Sequence, residues 1–291
     1  MIELNNVTKR YGKQDAIDQV SLDIPQSGIY CLLGRNGAGK TTLLKMLAGR
    51  VPATEGQIMI DGKKISPGKM PEDVNYIESG AVQFNLRVSK LIDMAAELQP
   101  NFDREFAEEM IARFELDYKK KFEKLSLGMK TMVTTILALA NKSKVVLLDE
   151  PVLGFDAIMR HQFNTLLLDS YQAHPRVIIV STHLIDEIAK VTERLIIIDK
   201  GKLLLESSMD DIDEKAYTIT GHACDVLPLI TDLNCIGKTT AGSIIAAHIY
   251  DENTPAIPEG VSITRMGLQD FFINIVGGNS NGQKSLDSNQ D

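Results

Sequence analysis

Three stretches of the chain combine residue types that handle phosphate and water chemistry. In the first, Gly34, Arg35, Asn36, Gly37, Ala38, Gly39, Lys40 and Thr41 fill the pattern G-x-x-x-x-G-K-[ST] of a phosphate-binding loop. The apolar run Ile29–Leu33 before it reads as a buried strand, and the run from Thr42 to Ala48 reads as a helix ending near Gly49. A strand–loop–helix turn of this kind crowds backbone N–H groups around phosphate oxygens, and the helix N-terminus adds partial positive charge. Residues 34–42, with Thr42 the last of them, are therefore the expected phosphate contacts. Lys40 is placed to reach the β- and γ-phosphates, and the Thr41 hydroxyl to help hold Mg²⁺.

The second stretch is Val145-Val146-Leu147-Leu148-Asp149-Glu150-Pro151, an apolar strand ending in two carboxylates, which is a Walker B pattern. Asp149 stands where a carboxylate meets Mg²⁺ through its water shell, and Glu150 where a base polarises an attacking water. The third is Leu125-Ser126-Leu127-Gly128-Met129-Lys130, ahead of a helix expected from about Lys130 to Ala140. Ser126 and Gly128 at a helix N-terminus offer a hydroxyl, free N–H groups and a dipole to an anion. The same residues taken alone are equally an N-cap.

Several elements must position these residues. Strands are expected at Ile2–Thr8, Ala16–Ile24 and Ile29–Leu33, with a hairpin over 56–65 turning at Asp61-Gly62. From Leu86 to Ala140 the apolar spacing becomes helical. Strands at 144–149, 177–182 and 195–199 then alternate with helices at 157–172 and 184–192, and 202–206 reads as a hairpin partner. That alternation implies a parallel sheet covered by helices, an α/β core.

After about Ser208 the pattern changes. Met209–Glu214 reads as an acidic connector, Tyr217–Gly221 and Ile244–Tyr250 as strands, Val226–Asp232 as a short helix, and Leu268–Val276 as a closing helix. This is a small α+β appendage, followed over 279–291 by a polar segment expected to be disordered.

Bulk properties narrow the class. No apolar run approaches the ~20 residues needed to span a bilayer, and the acidic start Met1-Ile2-Glu3-Leu4 is unlike a signal peptide. A net charge of −8 argues against a nucleic-acid or anionic-lipid surface as the main function. Three cysteines, Cys31, Cys224 and Cys235, without tight spacing suggest a reducing compartment and no disulfide framework.

With the three motifs in this order, residues 1–207 resemble the ATP-binding subunits of ABC transporters. Gly154-Phe155-Asp156 matches the family's D-loop, His183 its switch histidine, and Tyr11 the aromatic that stacks on adenine. The resemblance implies a P-loop NTPase core with an antiparallel β subdomain and a helical subdomain at about 86–140, together forming a nucleotide-binding domain over 1–208. Residues 209–278 are then an accessory domain.

It further implies ATP and Mg²⁺ as ligands, Glu150, His183 and Lys40 in catalysis, and a head-to-tail dimer. In that dimer Ser126, Gly128 and Asp156 complete the site of the other subunit. The partners implied are a separate transmembrane permease, docked on the segment around 86–120, and an identical or paralogous ATPase subunit, with no nucleic acid. The chain would work peripherally on the cytoplasmic face of the membrane.

Two departures from the family pattern bear on function. Leu127 and Met129 replace a glycine and a glutamine in the signature; the resulting Ser-Leu-Gly-Met-Lys form is similar to that of bacterial drug- and peptide-resistance exporters and favours export. Where the family has a glutamine after a short strand, this chain offers Glu78 or Ser79, and Glu78 could serve the metal. A soluble non-transport ABC ATPase and a regulatory subunit with little hydrolysis are the alternative readings. Gly237-Lys238-Thr239-Thr240 resembles the end of a second phosphate loop but lacks its first glycine, and reads as a surface turn. Asn141-Lys142-Ser143-Lys144 lacks the aspartate of a guanine-specificity motif. Lys119-Lys120-Lys121 reads as a solvated loop face.

Overall fold

The structure is a computed structural model describing residues 1–66, 68–80 and 83–278. The segment 279–291, expected to be disordered, lies outside the described residues. The chain divides into two units, Met1–Glu206 and Ser207–Asp291.

In the first unit, β1 (Ile2–Tyr11) and β2 (Gln14–Ile24) pair antiparallel, and β3 (Gly28–Leu33) leads through the phosphate-loop sequence into α1 (Lys40–Leu47). The strands β4 (Glu55–Ile60) and β5 (Lys63–Lys64) form the expected hairpin, whose second arm is short, and β6 (Val74–Glu78) follows. Three helices come next: α2 (Val88–Leu98), α3 (Arg104–Arg113) and α4 (Leu127–Ala140). Then β7 (Val145–Asp149), α5 (Ala157–Ala173), β8 (Val177–Ser181), α6 (Ile185–Ile188), β9 (Arg194–Asp199) and β10 (Lys202–Ser208) alternate.

These strands form two sheets, one in the order β2-β1-β4-β5 and one in the order β10-β9-β3-β8-β7-β6. Neighbouring strands from β9 to β6 run parallel. Parallel neighbours need crossover helices, which cover the sheet and bury its strands on both faces. Every residue of β3, β7 and β8 is accordingly buried, so their sequences run apolar without alternation up to the polar ends Asp149 and Ser181. Ile2, Leu4 and Ile58 of the antiparallel sheet share one core with Leu44 and Leu47 of α1 and with Leu32, Leu147 and Ile179 of the parallel sheet. Each fully buried Leu or Ile contributes roughly 1.5–3 kcal/mol, so α1 is held firmly between the sheets.

Two expectations for this unit change. α4 starts at Leu127, earlier than its apolar spacing suggested, because Ser126 caps it: the Ser126 Oγ accepts from the Met129 N–H at 3.2 Å. The helix expected over 184–192 is only α6 plus a 3₁₀ turn, Ala189–Val191. The Thr192 hydroxyl bonds back to the Ile188 carbonyl at 2.8 Å, competing with helix continuation.

The second unit holds α7 (Met209–Lys215), β11 (Ala216–His222), α8 (Ala223–Leu229), β12 (Cys235–Ala241), β13 (Ile244–Tyr250), β14 (Ser262–Arg265) and α9 (Leu268–Gly278). Its antiparallel sheet has the order β12-β13-β11-β14. Tyr217, Ile219, Val226, Ala247 and Ile249 form its core.

Three expectations are corrected here. The acidic connector at 209–214 is the helix α7: Ser208 caps it, accepting from the Asp211 N–H at 3.0 Å, and Asp210 and Asp211 face the positive end of the dipole. The supposed surface turn at Gly237–Thr240 lies inside β12, paired along β13 with a bulge after Cys235. The strand β14 was not anticipated; it has four residues and no apolar run.

Candidate active site

The phosphate loop is shaped by what surrounds its glycines. Gly39 has φ 109°, and a Cβ there would overlap the Ala16 carbonyl oxygen of β2, so neither the conformation nor the space admits a side chain. No side chain caps α1, and its first internal bond is Leu43 N–H to Gly39 O. The N–H groups of Lys40, Thr41 and Thr42 therefore have no acceptor within the helix, which suits an anion. Arg35, Asn36 and Gly37 are exposed at the loop tip, Gly34 and Ala38 are buried, and Thr41 and Thr42 are half-buried. The Lys40 side chain, 7% exposed, folds back to donate to the Gly34 carbonyl at 2.8 Å.

The strand register assembles the rest of the edge. Glu78 of β6 pairs with Asp149 of β7, which pairs with Ser181 of β8, and Leu32 of β3 also pairs with Ser181. Four strand ends thus reach one level at the carboxyl edge of the sheet, where open α/β sheets bind their ligands. Asp149 is buried with both carboxylate oxygens engaged. Oδ1 accepts from the Ser181 hydroxyl at 2.6 Å and Oδ2 from the Tyr76 hydroxyl at 3.2 Å. Burial and the adjacent Asp149 charge push the Tyr76 phenol up, so it stays a donor.

Glu150 leaves β7 with φ 50°, in the left-handed region that non-glycine residues rarely enter. Its N–H donates to the Ser181 carbonyl and hydroxyl, each at 3.1 Å, and its carbonyl accepts from the Ser79 hydroxyl at 2.7 Å. So oriented, its carboxylate meets His183 Nδ1 at 2.8 Å and lies 3.9 Å from Lys40 Nζ. A carboxylate, an imidazole and an ammonium from three separate motifs meet beside the phosphate loop. That grouping can orient water and offset negative charge.

Glu78 and Ser79 take different partners. The Glu78 carboxylate accepts from Lys45 Nζ of α1 at 2.9 Å, whereas Ser79 reaches the Glu150 backbone. Ser126, Gly128 and Asp156 form a second grouping. Ser126 is exposed at the start of α4, and Asp156 is exposed at the start of α5, where it accepts from the Met159 N–H at 2.8 Å. A Cβ on Gly128 would come within 3.0 Å of the Gly154 carbonyl and the Met159 sulfur, so signature and D-loop backbones lie against each other. Tyr11 stands half-exposed at the end of β1, with the Lys9 ammonium 5.0 Å from its ring centre.

Ser181, Tyr76 and Lys45 escaped the sequence, whereas Ser79 stood in it as the alternative to Glu78. Ser181 carried one signal, a hydroxyl at the end of an apolar run, as Asp149 is a carboxylate at the end of another.

Residues 17–153 match the family model described as ABC transporter. The ABC transporter ATP-binding protein YtrB of Bacillus subtilis (strain 168) is 30% identical over 221 residues, 75% of this chain and 76% of the relative. The bacitracin transport ATP-binding protein BcrA of Bacillus licheniformis is 26% identical over 303 residues, 97% of this chain and 99% of the relative. A dimeric ATP-binding cassette in a post-hydrolysis state, bound to ADP and Pi, superposes with a TM-score of 0.63 at 23% identity. It covers 72% of this chain and 99% of its own.

The chain belongs to the family of ABC transporter ATP-binding proteins, and the expected P-loop α/β fold is the fold found. Its activity is ATP hydrolysis that powers a separate permease. Among the described residues no helix is long and apolar enough to cross a membrane.

Proposed function

We propose that this chain is the ATPase of an exporter, held at the cytoplasmic face of the membrane by its permease. The observation that carries the catalytic part is the Glu150 carboxylate set between His183 at 2.8 Å and Lys40 at 3.9 Å. Lys40 and the loop N–H groups offset the triphosphate charge, Glu150 orients the attacking water, and His183 stabilises charge on the γ-phosphoryl. Catalysis of this kind is positioning plus electrostatics.

Hard oxygen donors suit Mg²⁺. The Thr41 hydroxyl and the Asp149 carboxylate, already aligned by Ser181 and Tyr76, would hold it, with Glu78 nearby at the same strand level. The ion would neutralise β/γ-phosphate charge. Tyr11 stacks on adenine. Ser126, Gly128 and Asp156 serve a second ATP-binding subunit, identical or paralogous. Residues 1–208 act as the nucleotide-binding domain and residues 209–278 as an accessory domain. Export is favoured by the Ser126–Lys130 signature form and by a relative named for bacitracin transport. The permease docks on the segment around 86–120, where α2 exposes Met94 and Leu98.

Co-purification from membranes tests the assembly. A tagged full chain carrying Glu150→Gln, extracted in ATP and Mg²⁺, should bring down a polytopic membrane protein and a second ATP-binding subunit. Recovery only from the soluble fraction, alone, contradicts it.

A further inference from the structure

Glu150 occupies a backbone conformation that an L-residue adopts only when its surroundings impose it. On one side the peptide N–H is taken up by Ser181, whose hydroxyl also holds Asp149. On the other side the Glu150 carbonyl accepts from the Ser79 hydroxyl at 2.7 Å and, more weakly, from the Leu153 N–H of the following turn at 3.2 Å. The Ser79 N–H also donates to the Asp149 carbonyl at 3.2 Å, so Ser79 grips the two peptide units on which the metal-facing and water-facing carboxylates depend. Glu78, one residue earlier, cannot share this task, because its carboxylate is turned to Lys45 on α1.

We propose that Ser79 is a positioning residue for ATP hydrolysis: its hydroxyl holds the Glu150 peptide in the left-handed conformation that points the Glu150 carboxylate at His183 and Lys40. This rests on Glu150 being the base. The bond is a single neutral one, of a size that changes rates by up to about tenfold when lost. Because the Ser79 hydroxyl bonds only to the Glu150 carbonyl, its loss moves the carboxylate and leaves the phosphate loop as it was. The turnover number falls while ATP binding stays.

A double-mutant cycle on the full chain tests this. Ser79→Ala should lower kcat about tenfold, with ATP affinity and thermal midpoint near wild type. Ser79→Thr, which keeps the hydroxyl, should restore kcat. In a Glu150→Gln background Ser79→Ala should change the residual rate less than about twofold, because the group it positions is gone. Ser79→Cys keeps the size with a weaker donor and should fall between wild type and alanine, which serves if alanine disturbs the turn. A wild-type kcat for Ser79→Ala, or an equal loss in both backgrounds, overturns the proposal. Full turnover by Glu150→Gln alone would instead remove the base assignment beneath it, so the two failures are distinguishable.

Discussion

The residues at the sheet edge work by being held rather than by being unusual in kind. Glu150 is an ordinary carboxylate whose backbone is fixed by hydroxyls on both flanking strand ends. Asp149 has each oxygen assigned to a different neighbour, Ser181 or Tyr76. Gly39 shows the same dependence on surroundings. Its φ of 109° and the Ala16 carbonyl beside it leave no room for a methyl group. Gly39→Ala should cost about 1–3 kcal/mol of stability from backbone strain alone. Equilibrium ATP binding should weaken at least tenfold, since the loop must open to admit the methyl; thermal unfolding and a binding titration read both. At this scale the candidate residues Lys40, Asp149, Glu150 and His183 were legible because motif spacing names them without a structure. Ser181, Tyr76 and Lys45 were not, and Ser79 was legible only as an alternative to Glu78, because each acts between elements, through a packing that no single stretch of sequence contains.

At the scale of elements, strand register and helix ends carry the site. The parallel pairing of β6, β7 and β8 sets Glu78, Asp149 and Ser181 side by side. Arg176, buried just before β8, donates to the Leu139 carbonyl in the last turn of α4 at 2.7 Å and to the Ser170 hydroxyl in the last turns of α5. It thereby ties together the far ends of the two helices whose first turns carry Ser126 and Asp156. Burial lowers its pKa to about 10, and it remains charged at neutral pH, facing the negative ends of both helix dipoles.

The second unit has its own titrating element. His248 of β13 lies between the Thr218 hydroxyl at 3.1 Å and the Thr239 hydroxyl at 3.4 Å. Burial holds it below the ordinary value of 6.5, with Asp270 of α9 opposing the shift. The folded state therefore favours neutral imidazole. The stability this gives is present above pH 6.5 and is lost as pH falls below it through the folded-state value. The thermal midpoint of wild type should drop more between pH 7.5 and 5.5 than that of His248→Gln; parallel curves contradict this. The strands β12 and β14 of this unit were missed because one carries Gly, Lys and Thr in place of apolar alternation and the other is very short. The buried strands of the first unit announced themselves as apolar runs.

At the scale of the whole molecule, the first unit carries two groupings of functional residues. One, Lys40, Asp149, Glu150 and His183, gathers around the phosphate loop. In the other, Ser126 and Asp156 spend their hydrogen bonds on their own helix ends. In the proposed assembly a nucleotide on the first grouping would leave the second to serve another subunit. The second unit lacks any such grouping among its described residues, yet the bacitracin-transport relative aligns over 97% of this chain.

The claim on which the rest depends is that Glu150 activates water at this sheet edge. A single-turnover assay with the full chain in excess over radiolabelled ATP and Mg²⁺ tests it most directly. Glu150→Gln should bind ATP as wild type does and hydrolyse it at least about 100-fold more slowly, the range lost with a general base. Hydrolysis by the variant at the wild-type rate would contradict the account.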